Sequence, residues 1–140
     1  FNNMKKALVC GLSYAKGEFT IDSFNKPHKA IYAGTKKDNT TKGSGNLRKI
    51  QTYILKPGLV GSSVSFIPPL YSELNPLLKN ICSYLNSNTD ESFISASLVH
   101  YQFEKLHPYV SGNGRLGRLM IPITLSYYKN EPPVLFLSEL

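Results

Sequence analysis

The chain has 140 residues, with 16 Lys and Arg against 9 Asp and Glu and a formal net charge of +7. That length holds one domain with a real core and leaves no room for a second of ordinary size. A hydrophobic content of 41% and a charged content of 18% exclude disordered and collagen-like classes. The longest apolar stretch, 119–125, contains Pro122 and is far shorter than the ~20 residues a membrane span needs. Cys10 and Cys82 cannot build a disulfide framework or a zinc site, so buried free thiols in a reducing cytoplasm are expected. No signal-peptide pattern is present and the chain begins at Phe1, so it reads as trimmed.

The charge is uneven. Residues 1–60 carry 11 basic and 3 acidic side chains, and residues 61–140 carry 5 and 6. The lysines of the first part are scattered rather than gathered on one helical face. A solvated surface is therefore favoured over a polyanion site, and no aromatic–basic interleaving supports nucleic acid.

In chain order, Met4, Ala7, Leu8, Leu12 and Ala15 recur at a helical period over 3–15, with Gly17 as the stop. A second helix is expected from Thr20 or Asp22 to about Ala33, with Ile21, Phe24, Ile31 and Tyr32 inward. Pro27 is tolerable there only near the first turn, and His28 reads as a surface residue. Residues 34–46 form a polar, glycine-rich loop. Two alternating runs, Leu47 to Leu55 and Val60 to Ile67, flank Lys56-Pro57-Gly58 and predict a small hairpin. After Pro68-Pro69 a helix runs from Tyr71 to about Leu85, and Thr89 or Asp90 can cap the next, about Glu91 to Leu106. That helix is apolar nearly all round and is expected to be central and buried. His100 on it reads as a satisfied core histidine, and Glu104 as a structural hydrogen-bonding residue. A last helix runs from Arg115 to about Lys129, where Ser126, Tyr127 and Tyr128 pack, and Pro132-Pro133 closes it. The class is mainly α.

The chemistry lies in His107-Pro108-Tyr109-Val110-Ser111-Gly112-Asn113-Gly114-Arg115-Leu116-Gly117-Arg118. Glycines flanking Asn113 let backbone N–H groups converge beside a helix N-terminus, which makes an anion nest. Arg115 and Arg118, three residues apart, share one helical face and can reach the same anion. His107, at the end of the preceding helix, has a side chain suited to proton transfer. A base beside a phosphate cradle fits transfer of a phosphate-containing group to a hydroxyl.

The segment HPYVSGNGRLGR resembles the Fic-domain signature H-P-F-x-[D/E]-G-N-G-R-x-x-R. HYQFEKLHP resembles that family's central helix, VLFLSEL the segment after its motif helix, and the 47–67 hairpin its target-docking flap. The resemblance implies a Fic-like helical bundle with a small β-hairpin flap. Residues 1–140 are then one Fic domain truncated at one or both ends, with its active-site loop at 107–118. It implies transfer of AMP from ATP to a protein hydroxyl, with Mg²⁺ or Mn²⁺ accompanying the nucleotide. His107 would be the general base, while Gly112, Asn113 and Gly114 form the anion hole and Asn113 also sets its amide on the phosphates. Arg115 and Arg118 would hold the β- and γ-phosphates. The flap, about Leu55 to Ile67 and including Val64, Ser65 and Phe66, would align the target by strand-like pairing. The partners implied are ATP and a protein target, the chain itself included, with no membrane. Many relatives carry an inhibitory [S/T]-x-x-x-E-[G/N] helix, which these residues lack and which would precede Phe1 in relatives inhibited from that side.

Ser111 departs from the signature, because the Asp or Glu at that position normally holds the metal and a hydroxyl is a weaker ligand. Three readings remain open. The phosphates and water hold the metal with Ser111 as a weak ligand. The site uses another phosphate-containing donor or removes AMP. Or the domain is an inactive Fic-fold binding module.

Overall fold

A computed structural model describes residues 2–57, 62–87 and 90–129. Among them are five α-helices: α1 (Asn2–Tyr14), α2 (Asp22–Tyr32), α3 (Leu74–Ser87), α4 (Ser92–Leu106) and α5 (Asn113–Lys129). A 3₁₀ turn, Tyr71–Glu73, leads into α3. Strands β1 (Ile54–Pro57) and β2 (Ser62–Phe66) pair antiparallel, Ile54 with Phe66 and Leu55 with Val64. The expected mainly helical bundle with one hairpin is what the chain forms. The VLFLSEL segment and Thr89 lie outside the described residues. Among those described, no helix is long and apolar enough to cross a membrane.

The core lies where the five helices turn their apolar stripes toward one another, with Met4, Ala7 and Leu8 of α1 among the buried residues. Phe24 of α2 stacks on Phe103 of α4 at 5.7 Å between ring centroids. Leu74, Leu78 and Leu85 of α3 and Leu116, Leu119, Met120 and Ile123 of α5 complete a buried cluster. The α1–α2 connection is fastened to α3 by Asn86, which accepts from the Phe19 N–H at 2.8 Å and donates to the Phe19 carbonyl at 2.9 Å. Both backbone groups of a buried residue are thereby satisfied by one side chain. Where α4 and α5 cross, a Cβ on Gly117 would overlap the Glu104 carboxylate, so a larger residue there would displace that side chain.

Four expectations require correction. The first strand, expected over 47–55, begins only at Ile54. The backbone before it pairs with the motif loop instead, Arg48 N–H donating to the Pro108 carbonyl at 2.9 Å. Helix α4 is buried on one stripe only: Ser95, Ala96, Val99, Phe103 and Leu106 face inward, while Phe93, Ile94, Leu98 and Tyr101 are exposed. Apolar residues on both faces do not bury a helix whose neighbours pack on one side. Pro27 sits in the sixth position of α2, beyond the first turn, and its ring is buried. Burial of the ring offsets the hydrogen bond its missing N–H removes. His28 is fully buried, not at the surface. The two cysteines are free as expected; burial pushes the Cys82 thiol up to about 11, and Cys10 is half-buried.

The one-sided burial of α4 gives a direct comparison. Phe103→Ala should cost about 3–5 kcal/mol in urea unfolding. Phe93→Ala, at a position 61% exposed, should stay within about 0.5 kcal/mol of wild type.

Candidate active site

Helix α4 ends at Leu106, and His107 follows in the left-handed region at φ 47° and ψ 58°, its N–H bonded to the Phe103 carbonyl at 3.0 Å. A non-glycine residue costs about 1–2 kcal/mol in that region, so its surroundings must impose it. The constraint is Arg48, 2% exposed. Its Nε donates to the His107 carbonyl at 2.9 Å, its Nη1 to Ile50 at 2.9 Å, and its Nη2 to Pro69 at 2.6 Å and Leu106 at 3.4 Å. A cation there also complements the negative end of α4. Gln51 adds a second tie, donating to the Thr52 and Pro68 carbonyls at 3.1 and 2.9 Å.

Burial lowers the His107 pKa from its ordinary 6.5. The Glu104 charge opposes that shift, the Arg48 charge adds to it, and the Glu104 carbonyl opposes it. The net shift favours the neutral imidazole. Glu104 acts through charge and main chain, not through the side-chain hydrogen bond expected of it, for its buried Oε1 has no partner. The His107 Nδ1 is likewise buried and unpartnered. His107 lines a cavity of about 450 Å³ with Gln51, Thr52, Tyr53, Leu55, Val64 and Val110. Of the three flap residues singled out from sequence, Val64 reaches this cavity. Ser65 is exposed, and Phe66 is half-buried with the Lys105 ammonium 4.1 Å above its ring.

The loop after His107 is built on Tyr109, which is fully buried. Asn113 closes it: its Oδ1 accepts from the Tyr109 N–H at 2.9 Å and its Nδ2 donates to the Tyr109 carbonyl at 2.8 Å. The amide expected on the phosphates is engaged inside the loop, which leaves the Asn113 main chain to face an anion. His28 stacks flat on the Tyr109 ring, 3.8 Å between centroids and 9° between planes, and its Nε2 donates to the Ser111 carbonyl at 2.8 Å. The Tyr109 hydroxyl donates to Asn25 at 2.7 Å. Gly112 has φ +85°, and a Cβ there would lie 2.7 Å from the Tyr32 hydroxyl, so only glycine fits.

Helix α5 begins at Asn113, its first internal bond running from the Leu116 N–H to the Gly112 carbonyl at 3.1 Å. The N–H groups of its first turn have no acceptor within the helix and point at the loop mouth. Arg115 donates to the Tyr32 hydroxyl at 2.6 Å and lies 4.6 Å from that ring's centroid. The same hydroxyl is 2.8 Å from the Ser111 Oγ. Tyr32 thus joins the Arg115 guanidinium to the Ser111 hydroxyl through its own hydroxyl. The Arg118 guanidinium reaches back to within 3.5 Å of a Gly114 Cβ position, so both arginines border the anion cradle. The structure therefore brings His107, Gly112, Gly114, Arg115 and Arg118 to one end of the α4–α5 pair.

The donor set does not fit a protein-held divalent metal. Ser111 offers one hydroxyl, already hydrogen-bonded to Tyr32, and among the described residues no cluster of three or more His, Cys, Asp or Glu could hold an ion. His100 is half-buried, its Nδ1 donating to the Gly117 carbonyl at 2.9 Å, in keeping with a structural role.

Arg48, Tyr32 and His28 were not anticipated as site residues. His28 had a readable signal, since it shares the Phe24–Ile31 stripe of α2. Arg48 and Tyr32 had none, because their partners are distant in sequence.

Burial lowers the pKa of both His28 and His107 from 6.5. The folded chain then binds fewer protons than the unfolded chain near that pH. Stability is fully present above about 6.5 and lost as pH falls through the lowered folded values. Urea midpoints should accordingly decline from about pH 7.5 to about pH 5, and His28→Gln should flatten the decline.

The description "Fic/DOC family" matches residues 18–125. The protein adenylyltransferase Fic of Drosophila grimshawi is 34% identical over 94 residues, which cover 65% of this chain and 17% of that protein. Its Drosophila virilis counterpart is 35% identical over the same length and coverage. The chain thus spans about a sixth of the length of the curated relatives it matches. A Fic domain containing signaling protein from Bacteroides thetaiotaomicron superposes with a TM-score of 0.75 at 19% identity, over 91% of this chain and 47% of that one. Fic-1 from C. elegans superposes with a TM-score of 0.63 at 21% identity, over 92% and 37%. With a family match across most of its length and the same fold, the chain belongs to the Fic/DOC family.

Proposed function

We propose that the chain transfers AMP from ATP to a hydroxyl side chain of a protein. The observation that carries this reading is a half-buried histidine, its pKa lowered by burial, beside a helix N-terminus bordered by two arginines. Relatives bearing the name protein adenylyltransferase support it. His107 takes the proton of the target hydroxyl as its oxygen attacks the α-phosphorus. The bond from that phosphorus to the bridging oxygen breaks, and pyrophosphate leaves. Main-chain N–H groups of Gly112, Asn113 and Gly114 receive the charge that grows on the α-phosphate oxygens. Arg115 and Arg118 bind the β- and γ-phosphates and stabilise the departing pyrophosphate. The target segment lies along the hairpin, with Val64 and Leu55 beside the cavity His107 lines. Mg²⁺ or Mn²⁺ would accompany the ATP, held by its phosphates and water rather than by Ser111.

Ser111 favours a second reading on the same machinery. With a hydroxyl already engaged by Tyr32 in place of a carboxylate, the site is also suited to a different phosphate-containing donor. Incubation with labelled ATP, UTP, GTP and CDP-choline separates the two.

With labelled ATP, wild type should label itself or a target protein, and His107→Ala should label about 10²- to 10⁴-fold more slowly. Equal labelling by the two proteins rules the reading out. The rate should rise with pH and level off near neutrality, because His107 must be deprotonated and its pKa lies below 6.5. A profile still climbing well above pH 7 would assign the base elsewhere. Ser111→Asp should raise the divalent-cation-dependent rate by about tenfold or more if metal placement limits wild type, read as rate against Mn²⁺ concentration.

A further inference from the structure

Arg48 has an arrangement that the proposed transfer does not use. It is a buried cation with no carboxylate paired to it among the described residues; its partners are main-chain carbonyls. These carbonyls come from three places. Leu106 and His107 lie at the end of α4, Ile50 lies on the stem entering the hairpin, and Pro69 lies on the stem leaving it. The Arg48 main chain makes a further bond, to the Pro108 carbonyl at 2.9 Å. One side chain thus joins the residue carrying the base to both stems of the strands that line its cavity.

We propose that Arg48 is a positioning residue for His107, clamping that histidine's main chain to both hairpin stems so that base and target-docking strands share one frame. The role rests on the AMP-transfer reading for its consequence and on geometry for its existence. His107 needs such a clamp because its left-handed conformation is unfavourable for a residue with a Cβ. The planar fork suits it, since a guanidinium donates in several fixed directions at once, whereas an ammonium is a point charge. A merely helix-capping arginine would bond the α4 carbonyls alone; Arg48 also binds Ile50 and Pro69.

The clamp places positive charge beside the imidazole. Among the described residues, the charged groups acting on His107 are Glu104 from α4, which favours the protonated form, and Arg48 from the segment before β1, which opposes it. Among the described residues, the hairpin and α5 supply none that shifts it. Arg48 thus fixes the main chain of His107 and adds to the lowering of its pKa, of which burial is the larger cause.

The test uses the whole chain, with Arg48→Lys and Arg48→Gln beside wild type. Arg48→Lys keeps the charge and loses the fork. Its kcat should fall by about tenfold or more, with KM for ATP within about twofold and the His107 titration midpoint by NMR within about 0.3 pH units of wild type. Arg48→Gln should also lose kcat, and its His107 midpoint should move up toward 6.5, carrying the acid limb of the pH–rate profile with it. A folded Arg48→Lys with wild-type kcat, or a folded Arg48→Gln with an unmoved midpoint, overturns the proposal. Wild type alone decides the matter where the variants do not fold. The Arg48 Nε–H resonance should be protected from exchange and should shift as His107 titrates, and absence of either effect overturns the clamp. A wild type that transfers no AMP refutes the proposed activity, while the NMR measurements still judge the clamp.

Discussion

The carbonyls of Leu106 and His107, at the C-terminal end of α4, converge on one guanidinium, and the active-site end of the molecule depends on that convergence. A helix terminus leaves acceptors that something must satisfy. Arg48 does so while buried and while reaching the hairpin stems. The α4 terminus, the loop after it and the strands opposite are therefore held by one set of charge-assisted bonds. The cost of placing a cation there is offset by several well-aimed acceptors and by the negative end of the helix.

Around that clamp the loop is assembled from reciprocal contacts rather than from a regular ladder. Asn113 closes on both main-chain groups of Tyr109, and His28 covers the ring and holds the Ser111 carbonyl. Gly112 lets the chain pass over the Tyr32 hydroxyl with no Cβ between. The result is a rigid turn that aims the first N–H groups of α5 outward, which is the preorganisation that stabilising a growing negative charge requires. Tyr32 links Ser111 to Arg115. The hydroxyl that replaces the family's usual carboxylate is thus not idle; it anchors the ring that carries an arginine.

Much of this was legible in the residues. The helical stripes of α1, α2, α3 and α5 follow from apolar spacing, and the motif announces a turn, a nest and two arginines on one face. Pattern failed in particular places. The apolar residues of α4 on its outer side, Phe93, Ile94, Leu98 and Tyr101, look like core until one knows that its partners pack on the other side. The 47–53 segment alternates like a strand, but it forms none, and its Arg48 N–H bonds the Pro108 carbonyl of the motif loop. His28 reads as surface by residue type alone, although its place on the α2 stripe points inward.

The sequence by itself determined what acts over a few residues: helix spans, the left-handed glycine, the Gly-Asn-Gly turn and the pairing of Arg115 with Arg118 on one face. Only the tertiary structure decided what acts over long separations. Arg48 meets His107 across 59 positions, Tyr32 meets Ser111 across 79, and His28 meets Ser111 across 83. The physical reason is that periodicity and capping chemistry report a residue's immediate neighbours along the chain. The partner of a buried polar group is chosen by which unsatisfied atom the packing of other elements brings within reach.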